Sequence, residues 1–276
     1  MKAIYDRVSA ECCRITTQAY TSSFALATKL LRKEYRSAIY AIYSFFRLGD
    51  EIVDTFHDYP KASLLEQFQA ATHQAIQDKI SLNPVLNAFQ QVVHTFQIDL
   101  ALVDTFFESM KMDLSQQTHT QDSFEKYLIG SSEVVGLMCL QVFCERAQYT
   151  QLKPYAMRLG KALQKLNFLR DLHVDVQQLG RYYFPGSSFD QFNDTTKRDI
   201  EASVAADLKV ALVGIKQLPD NARLGVYLAY TYYKRLFQKI RQASVEELLQ
   251  ARIRIPTYRK YAMIVEASLR YKLNRL

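Results

Sequence analysis

Apolar residues recur along this 276-residue chain at intervals of three and four, and the pattern runs with few breaks from one end to the other. That spacing places side chains on one face of an α-helix, whereas a half-buried strand would alternate with period two. Residues 3–21 read as a first helix, and the polar Thr21-Ser22-Ser23 turn can cap the apolar run from Phe24 to Leu31. A long helix over 36–58 should end ahead of Pro60, because the residue before a proline disfavours helical geometry. Residues 61–80 form a polar helix, and Asn83-Pro84 marks a turn. The pattern resumes over 85–97 through Val85, Phe89, Val92 and Phe96, and again from after Asp99 to about Gln116. Residues 120–146 read as one helical stretch containing small residues, whose plainest use is close helix packing. A helix starting after Pro154 is ended by Leu179-Gly180 and the GRYYFP segment, which brings Arg181 near its acidic end. Further helices cover 194–217 and 220–241, and residues 252–260 interrupt before a last basic helix. The expectation is an all-α fold of on the order of ten helices, with one domain over 1–276 and no linker dividing it.

Two of these helices carry acids where the pattern calls for apolar residues. At about 100° per residue, Ile39, Tyr43, Phe46, Asp50 and Asp54 share a sector roughly 80° wide, with Arg47 beside it. Gln164, Asn167, Asp171 and Asp175 follow an i, i+3, i+7, i+11 spacing, next to a stripe of Leu159, Leu163 and Leu166. Charges are seldom buried unless paired or metal-bound, and like charges at i,i+4 repel even on an exposed helix. A cation should therefore meet them inside. One Asp-x-x-x-Asp pair is common on solvated helices, but two on partly apolar faces are not. Oxygen donors without His or Cys suit a hard cation such as Mg²⁺, with Mn²⁺ as a substitute, and Mg²⁺ is usually completed by substrate phosphates. The site implied is Mg²⁺ plus a diphosphate; His173 points about 160° away from Asn167 and Asp171 and is peripheral.

Composition narrows the setting. Hydrophobic residues make up 49% of the chain, yet charges interrupt every apolar run before the ~18 residues that a membrane span needs. The N-terminal MKAIYDRVSAECCR has early acids and no apolar core, unlike a signal peptide, so a cytoplasmic location is expected. Cys12, Cys13, Cys139 and Cys144 fit neither a disulfide framework nor a zinc site. From Arg252 to Leu276 seven Lys/Arg stand against one Glu, which accounts for +6 of the net +7. Such a segment could meet nucleic acid, an anionic membrane surface or an anionic substrate. Inward carboxylates would repel nucleic-acid phosphates, so no nucleic-acid partner is expected, whereas peripheral contact with an anionic bilayer is.

The blocks SSFALATKLL, AIYSFFRLGDEIVD, YLIGSSEVVGLM, LGKALQKLNFLRDLHVD with GRYYFP, and RIRIPTYRKY, in this order and over nearly the whole chain, resemble the squalene/phytoene synthases. These are the head-to-head branch of the trans-isoprenyl diphosphate synthases. The resemblance implies an isoprenoid-synthase fold with a central cavity and the two Asp motifs facing across its mouth. It makes Asp50, Asp54, Asp171, Asp175 and Arg47 catalytic, with Asn167 joining the four aspartates as metal ligands. It places Tyr127, Gln164, Arg170, Arg181 and Arg252 near the diphosphates, Ser23 at a helix start able to hold phosphate oxygens, and Phe24, Tyr43, Val135, Gly136 and Gly160 at the cavity. Gly160, one turn before Gln164, is expected to leave room for a longer prenyl tail. The features most like bacterial carotenoid enzymes imply a phytoene synthase. Two geranylgeranyl diphosphates would give a cyclopropylcarbinyl (prephytoene) diphosphate and then phytoene, with no NADPH. Squalene or dehydrosqualene synthesis from farnesyl diphosphate is the alternative, and a non-catalytic helical assembly factor would not need the Asp pairs. Two departures are Gly49-Asp50-Glu51, where many relatives have Ala-Asp-Asp, and Val174, where an acid often precedes the last aspartate.

Overall fold

A computed structural model describes residues 1–186 and 191–273; the last three residues of the basic segment, 274–276, lie outside it. The described residues form α1 (Lys2–Tyr20), α2 (Ser22–Lys29), α3 (Lys33–Asp54), α4 (Lys61–Asp78), α5 (Pro84–Phe96), α6 (Leu100–Ser115) and α7 (Gln121–Leu128). A π turn (Ile129–Glu133) leads into α8 (Val134–Phe143), α9 (Arg146–Gln177), α10 (Asp194–Gln217), α11 (Asp220–Gln242), α12 (Val245–Gln250) and α13 (Thr257–Lys272). Among them there is no strand, only an isolated bridge between Thr118 and Tyr182.

Polar side chains start the helices as the sequence leads one to expect. The Thr21 hydroxyl accepts from the Phe24 amide at 3.3 Å, and Asn83 accepts from Val85 with Pro84 in the first turn. Ser244 and Glu247 form a reciprocal capping box that opens α12, a helix the sequence reading passed over.

Two cores hold the helices. In the first, Phe45 of α3 is fully buried and stacks on Phe89 of α5 with centroids 3.9 Å apart, while Phe68, Phe106 and Phe107 close around it. In the second, α9 lies between the π turn and α8 on one side and α10, α11 and α12 on another. Leu166 and Leu169 are fully buried there. Lys165, on the same helix, donates to Asp207 of α10 at 2.8 Å and to Ser203 at 2.6 Å, and Arg158 also reaches Asp207. This ion pair fixes which face of α9 is left for its carboxylates.

Three boundaries differ from expectation. Helix α3 stops at Asp54, four residues early, because cations rather than a proline end it: Lys61 Nζ and Arg181 Nη2 donate to the Val53 carbonyl at 2.8 and 3.0 Å. Helix α9 starts at Arg146 and runs through Pro154. The carbonyl that loses its amide partner there belongs to exposed Thr150, where water can replace it. Residues 120–146 are not one helix, since the π turn divides them.

Gly160 does not leave room for a prenyl tail. A Cβ there would lie 2.7 Å from the Ser132 carbonyl oxygen and 3.1 Å from Glu133 Cα, so its bare backbone lets α9 touch the π turn. Gly136 likewise meets the Ala156 carbonyl, at 3.0 Å, as helix packing requires. Gly160→Ala is therefore expected to destabilise the fold by about 1–3 kcal/mol, the usual cost of overpacking, and thermal melting with and without substrate should show one common loss of stability.

Candidate active site

Three helices end on acids that meet. Asp54 is the last residue of α3, while Asp113 and Asp175 lie in the last turns of α6 and α9. A helix C-terminus is the negative end of its dipole and a poor place for a carboxylate without a cation. Arg181 is that cation. Its Nη1 is 2.6 Å from Asp54 and 3.5 Å from Asp113, and it donates to the Tyr183 hydroxyl at 3.3 Å. Gly180, at φ +66°, takes the left-handed conformation that turns the chain back after α9 and delivers Arg181 inward. Burial opposes the Arg181 charge, but Asp113, Tyr183 and Asp54 together raise its pKa above the ordinary value.

Asp113 accepts from Tyr127 at 2.8 Å and from Tyr183 at 3.1 Å. Burial pushes its carboxyl up to about 7, with Arg181 opposing. Burial and neighbouring Asp54 raise Asp50 to about 7, against Arg47. Asp175 is raised to about 8 by burial, then by Asp171 and Asp54. Asp54 therefore acts on Asp175 across the gap between the two motifs, which the structure brings to one centre.

The remaining residues extend this centre. Arg170 holds Asp171 through Nε and Nη2 at 2.9 and 2.6 Å, and Arg252 reaches the same carboxylate at 2.8 Å. Asn167 donates to Gln164 at 3.2 Å and accepts from Tyr233 at 3.2 Å. Arg47 pairs with Glu51 and stacks over the Tyr20 ring at 4.5 Å. Glu51 is thus the anchor of Arg47, and Gly49 is required because the Phe106 ring occupies the place of its Cβ. Phe24 stacks on Tyr43 with centroids 5.0 Å apart. Ser23 sits in the first turn of α2, where neighbouring Ser22 accepts from Lys260 at 2.6 Å. His173 bonds the Leu249 carbonyl at 2.8 Å, away from the carboxylates.

Tyr43, Cys139 and Tyr233 are strongly desolvated, which raises their pKa values, yet each keeps accessible surface. Half-buried Val135 stands one turn before Cys139 on α8, and both pack against the first core. A pocket of about 420 Å³ lined by Val53, His57, Lys61, Asp113, Gln117 and Arg181 opens beside the acid centre.

The chain matches a family model described as squalene/phytoene synthase over residues 17–259. It belongs to the squalene/phytoene synthase family. This is a family of head-to-head isoprenoid synthases. Over 292 residues the chain is 29% identical to a 15-cis-phytoene synthase of Synechococcus elongatus, covering 94% of this chain and 92% of that one. Over 278 residues it is 23% identical to a 4,4'-diapophytoene synthase of Staphylococcus haemolyticus, covering 94% and 96%. A crystal structure of a dehydrosqualene synthase superposes with a TM-score of 0.83 at 21% identity, over 97% and 98% of the chains, which fixes the isoprenoid-synthase fold.

For this member of the family, sequence reasoning missed Asp113, Tyr183 and Tyr233. Only Asp113 left a signal, because it continues the Phe106–Met110 face of α6. Among the described residues no three His, Cys, Asp or Glu side chains converge tightly enough to hold one ion. The donors are arranged as two pairs, with guanidiniums on Asp54 and Asp171. A hard cation placed here would find one or two carboxylates and would need water or other oxygens to complete its shell.

The acid centre predicts a pH dependence. Unfolded, Asp50, Asp113 and Asp175 lose their protons near pH 4, whereas folded they keep them up to about 7, 7 and 8. Between those limits the folded chain binds more protons, so this contribution to stability falls as pH rises and is fully lost above about 8. In EDTA the melting temperature is expected to fall from pH 6 to 8.5, and Asp50→Asn and Asp175→Asn should each make that fall shallower.

Proposed function

We propose that this chain is a phytoene synthase, joining two geranylgeranyl diphosphates head to head through prephytoene diphosphate and releasing two diphosphates, with Mg²⁺ and without NADPH. The observation that supports it most is the convergence of Asp50, Asp54, Asp113 and Asp175 with more carboxylate than Arg181 neutralises, three of them with raised pKa values. Such a centre takes up further positive charge. Its all-oxygen donors suit a hard divalent cation completed by diphosphate. The substrate follows the 15-cis-phytoene synthase at 29% identity. The diapophytoene synthase relative favours a second reading, in which farnesyl diphosphate is the substrate.

In this reading Asp50 and Asp54 hold one side of the ion–diphosphate assembly, and Asn167, Asp171 and Asp175 the other. Mg²⁺ supplies Lewis-acid stabilisation of the leaving diphosphate. Arg170 and Arg252, which hold Asp171, exchange it for diphosphate oxygens, and that exchange frees the Asp171 carboxylate as substrate arrives. Arg47, positioned by Glu51 and Tyr20, adds positive charge where the leaving group develops negative charge. Phe24, Tyr43, Val135 and Cys139 keep water from the allylic cation. Among the described residues no helix is long and apolar enough to cross a membrane. Helix α13 exposes Tyr258, Tyr261, Val265 and Leu269 along one side, a composition suited to resting on a bilayer where apolar substrate and product reside.

Purified protein with Mg²⁺ and geranylgeranyl diphosphate is expected to yield phytoene without NADPH. Product from farnesyl diphosphate alone would instead establish the second reading. EDTA should stop the reaction and Mg²⁺ restore it. Asp50→Ala and Asp171→Ala are each expected to abolish turnover while the helical circular dichroism stays unchanged; full activity in either would remove the metal assignment.

Chain length should be set on α8 rather than at Gly160. In this reading the α8 face that carries Val135 and, one turn on, partly buried Cys139 forms the wall of an apolar hollow away from the acids. Cys139→Phe is expected to reduce kcat/KM for geranylgeranyl diphosphate at least tenfold more than for farnesyl diphosphate, since the longer tail buries more methylenes at about 0.8 kcal/mol each. Equal losses on both substrates would place the hollow's closed end elsewhere.

A further inference from the structure

Away from the acid centre, α1, α2 and α3 leave a groove of about 540 Å³ between them. Five cations, Arg7, Arg14, Lys29, Lys33 and Arg36, line it against one carboxylate, Glu11. Glu11 is already held by Arg14 Nε at 2.8 Å. Arg7, Lys29 and Lys33 have no acidic partner among the described residues. Arg36 Nε donates to the Leu31 carbonyl at 2.9 Å, which fixes the guanidinium and leaves its two Nη groups to the groove. Like charges gathered this closely repel one another, and nothing in the packing of α1 on α3 requires them there.

Tyr40 supplies a second and independent observation. Only 5% of it is exposed, it lines the floor of the groove, and its hydroxyl has no hydrogen-bond partner among the described residues. Burial raises its pKa, while Arg36 and Arg14 act in the opposite direction, which places both guanidiniums near the phenol oxygen. The ring is buried, but the hydroxyl oxygen is not among the buried polar atoms left without a partner, so it reaches the groove and can donate to a ligand there.

We propose that this groove is a second anion site that takes a phosphate group. Arg36 and the Tyr40 hydroxyl hold the phosphate oxygens, with Arg14, which is paired to Glu11 and donates to Gln18, beside them. Arg7, Lys29 and Lys33 supply the surrounding charge, and the lysine and arginine stems with Ala10 accept the carbon chain of a phosphate ester. The phosphate can come from a molecule in solution or from a lipid headgroup. The site shares no residue with the acid centre and does not depend on the reaction proposed above.

The test uses the full chain in EDTA and in an Asp50→Ala background, so that diphosphate held at the acid centre through metal does not contribute. Calorimetric titration with inorganic diphosphate compares this protein with Tyr40→Phe and with Lys29→Gln/Lys33→Gln. Both lysines are exposed, so the double variant should melt like its parent. Each variant is expected to bind about tenfold more weakly, the usual effect of losing a hydrogen bond or ion contact to a charged group. Cosedimentation with phosphatidylcholine vesicles, with and without phosphatidylglycerol, separates the sources. Loss of binding to the anionic vesicles in the same variants assigns a headgroup, and groove-dependent diphosphate binding without it assigns a free phosphate. Equal binding by parent and variants in both arms, or no binding in either, overturns the site. A loss in the lysine variant but none in Tyr40→Phe also overturns it, because a diffuse field would then suffice.

Discussion

Carboxylates at the ends of three helices can be brought together only if a cation is fixed among them, and in this protein the requirement falls on Arg181. Its contacts to Asp54, Asp113 and the Val53 carbonyl join the last turns of α3 and α6, and its own backbone amide donates to the Asp175 carbonyl at 2.9 Å. The two cores draw mostly on different helices, and α11 contributes to both. The guanidinium ties them where dipoles and side chains are all negative, and it does so from a short segment placed by one left-handed glycine. Removing a partner from so buried an arrangement is far more disruptive than losing a surface pair.

That arrangement remains incomplete. One guanidinium cannot balance four inward carboxylates, and burial first, then the neighbouring carboxylates, raise the pKa values of Asp50, Asp113 and Asp175. Stability is given up at the centre and restored by the surrounding aromatic core, with Phe45 and Phe89 on one side and Phe168 stacked on Tyr183 at 4.1 Å on the other. Under the proposed Mg²⁺-dependent reaction, a centre left short of positive charge is ready to accept it.

Periodicity sufficed for the helices because their apolar faces are local facts, and it also showed the inward direction of Asp50, Asp54, Asp171 and Asp175. What it could not show depends on contacts distant in sequence. Helix α3 ends where Lys61 and Arg181 reach its carbonyls, not where Pro60 stands. Pro154 is tolerated because its orphaned carbonyl is exposed. Gly160 looked like open space when α9 was considered alone, but the neighbouring π turn fills it. Asp113 lay on a legible face, yet a lone acid on a helix carries no message until Tyr127, Tyr183 and Arg181 surround it.

The π turn at Ile129–Glu133 has a further effect on the helices it joins. In a continuous α-helix Tyr127 and Val135 would stand about 80° apart. The wider i→i+5 turn accommodates an extra residue and absorbs much of that angle. Tyr127 thus reaches Asp113 from α7, while Val135 and Cys139 pack against the first core from α8. The wide turn therefore acts as a phase adjuster, letting one stretch of chain give a polar side chain to the acid centre and an apolar face to the aromatic core.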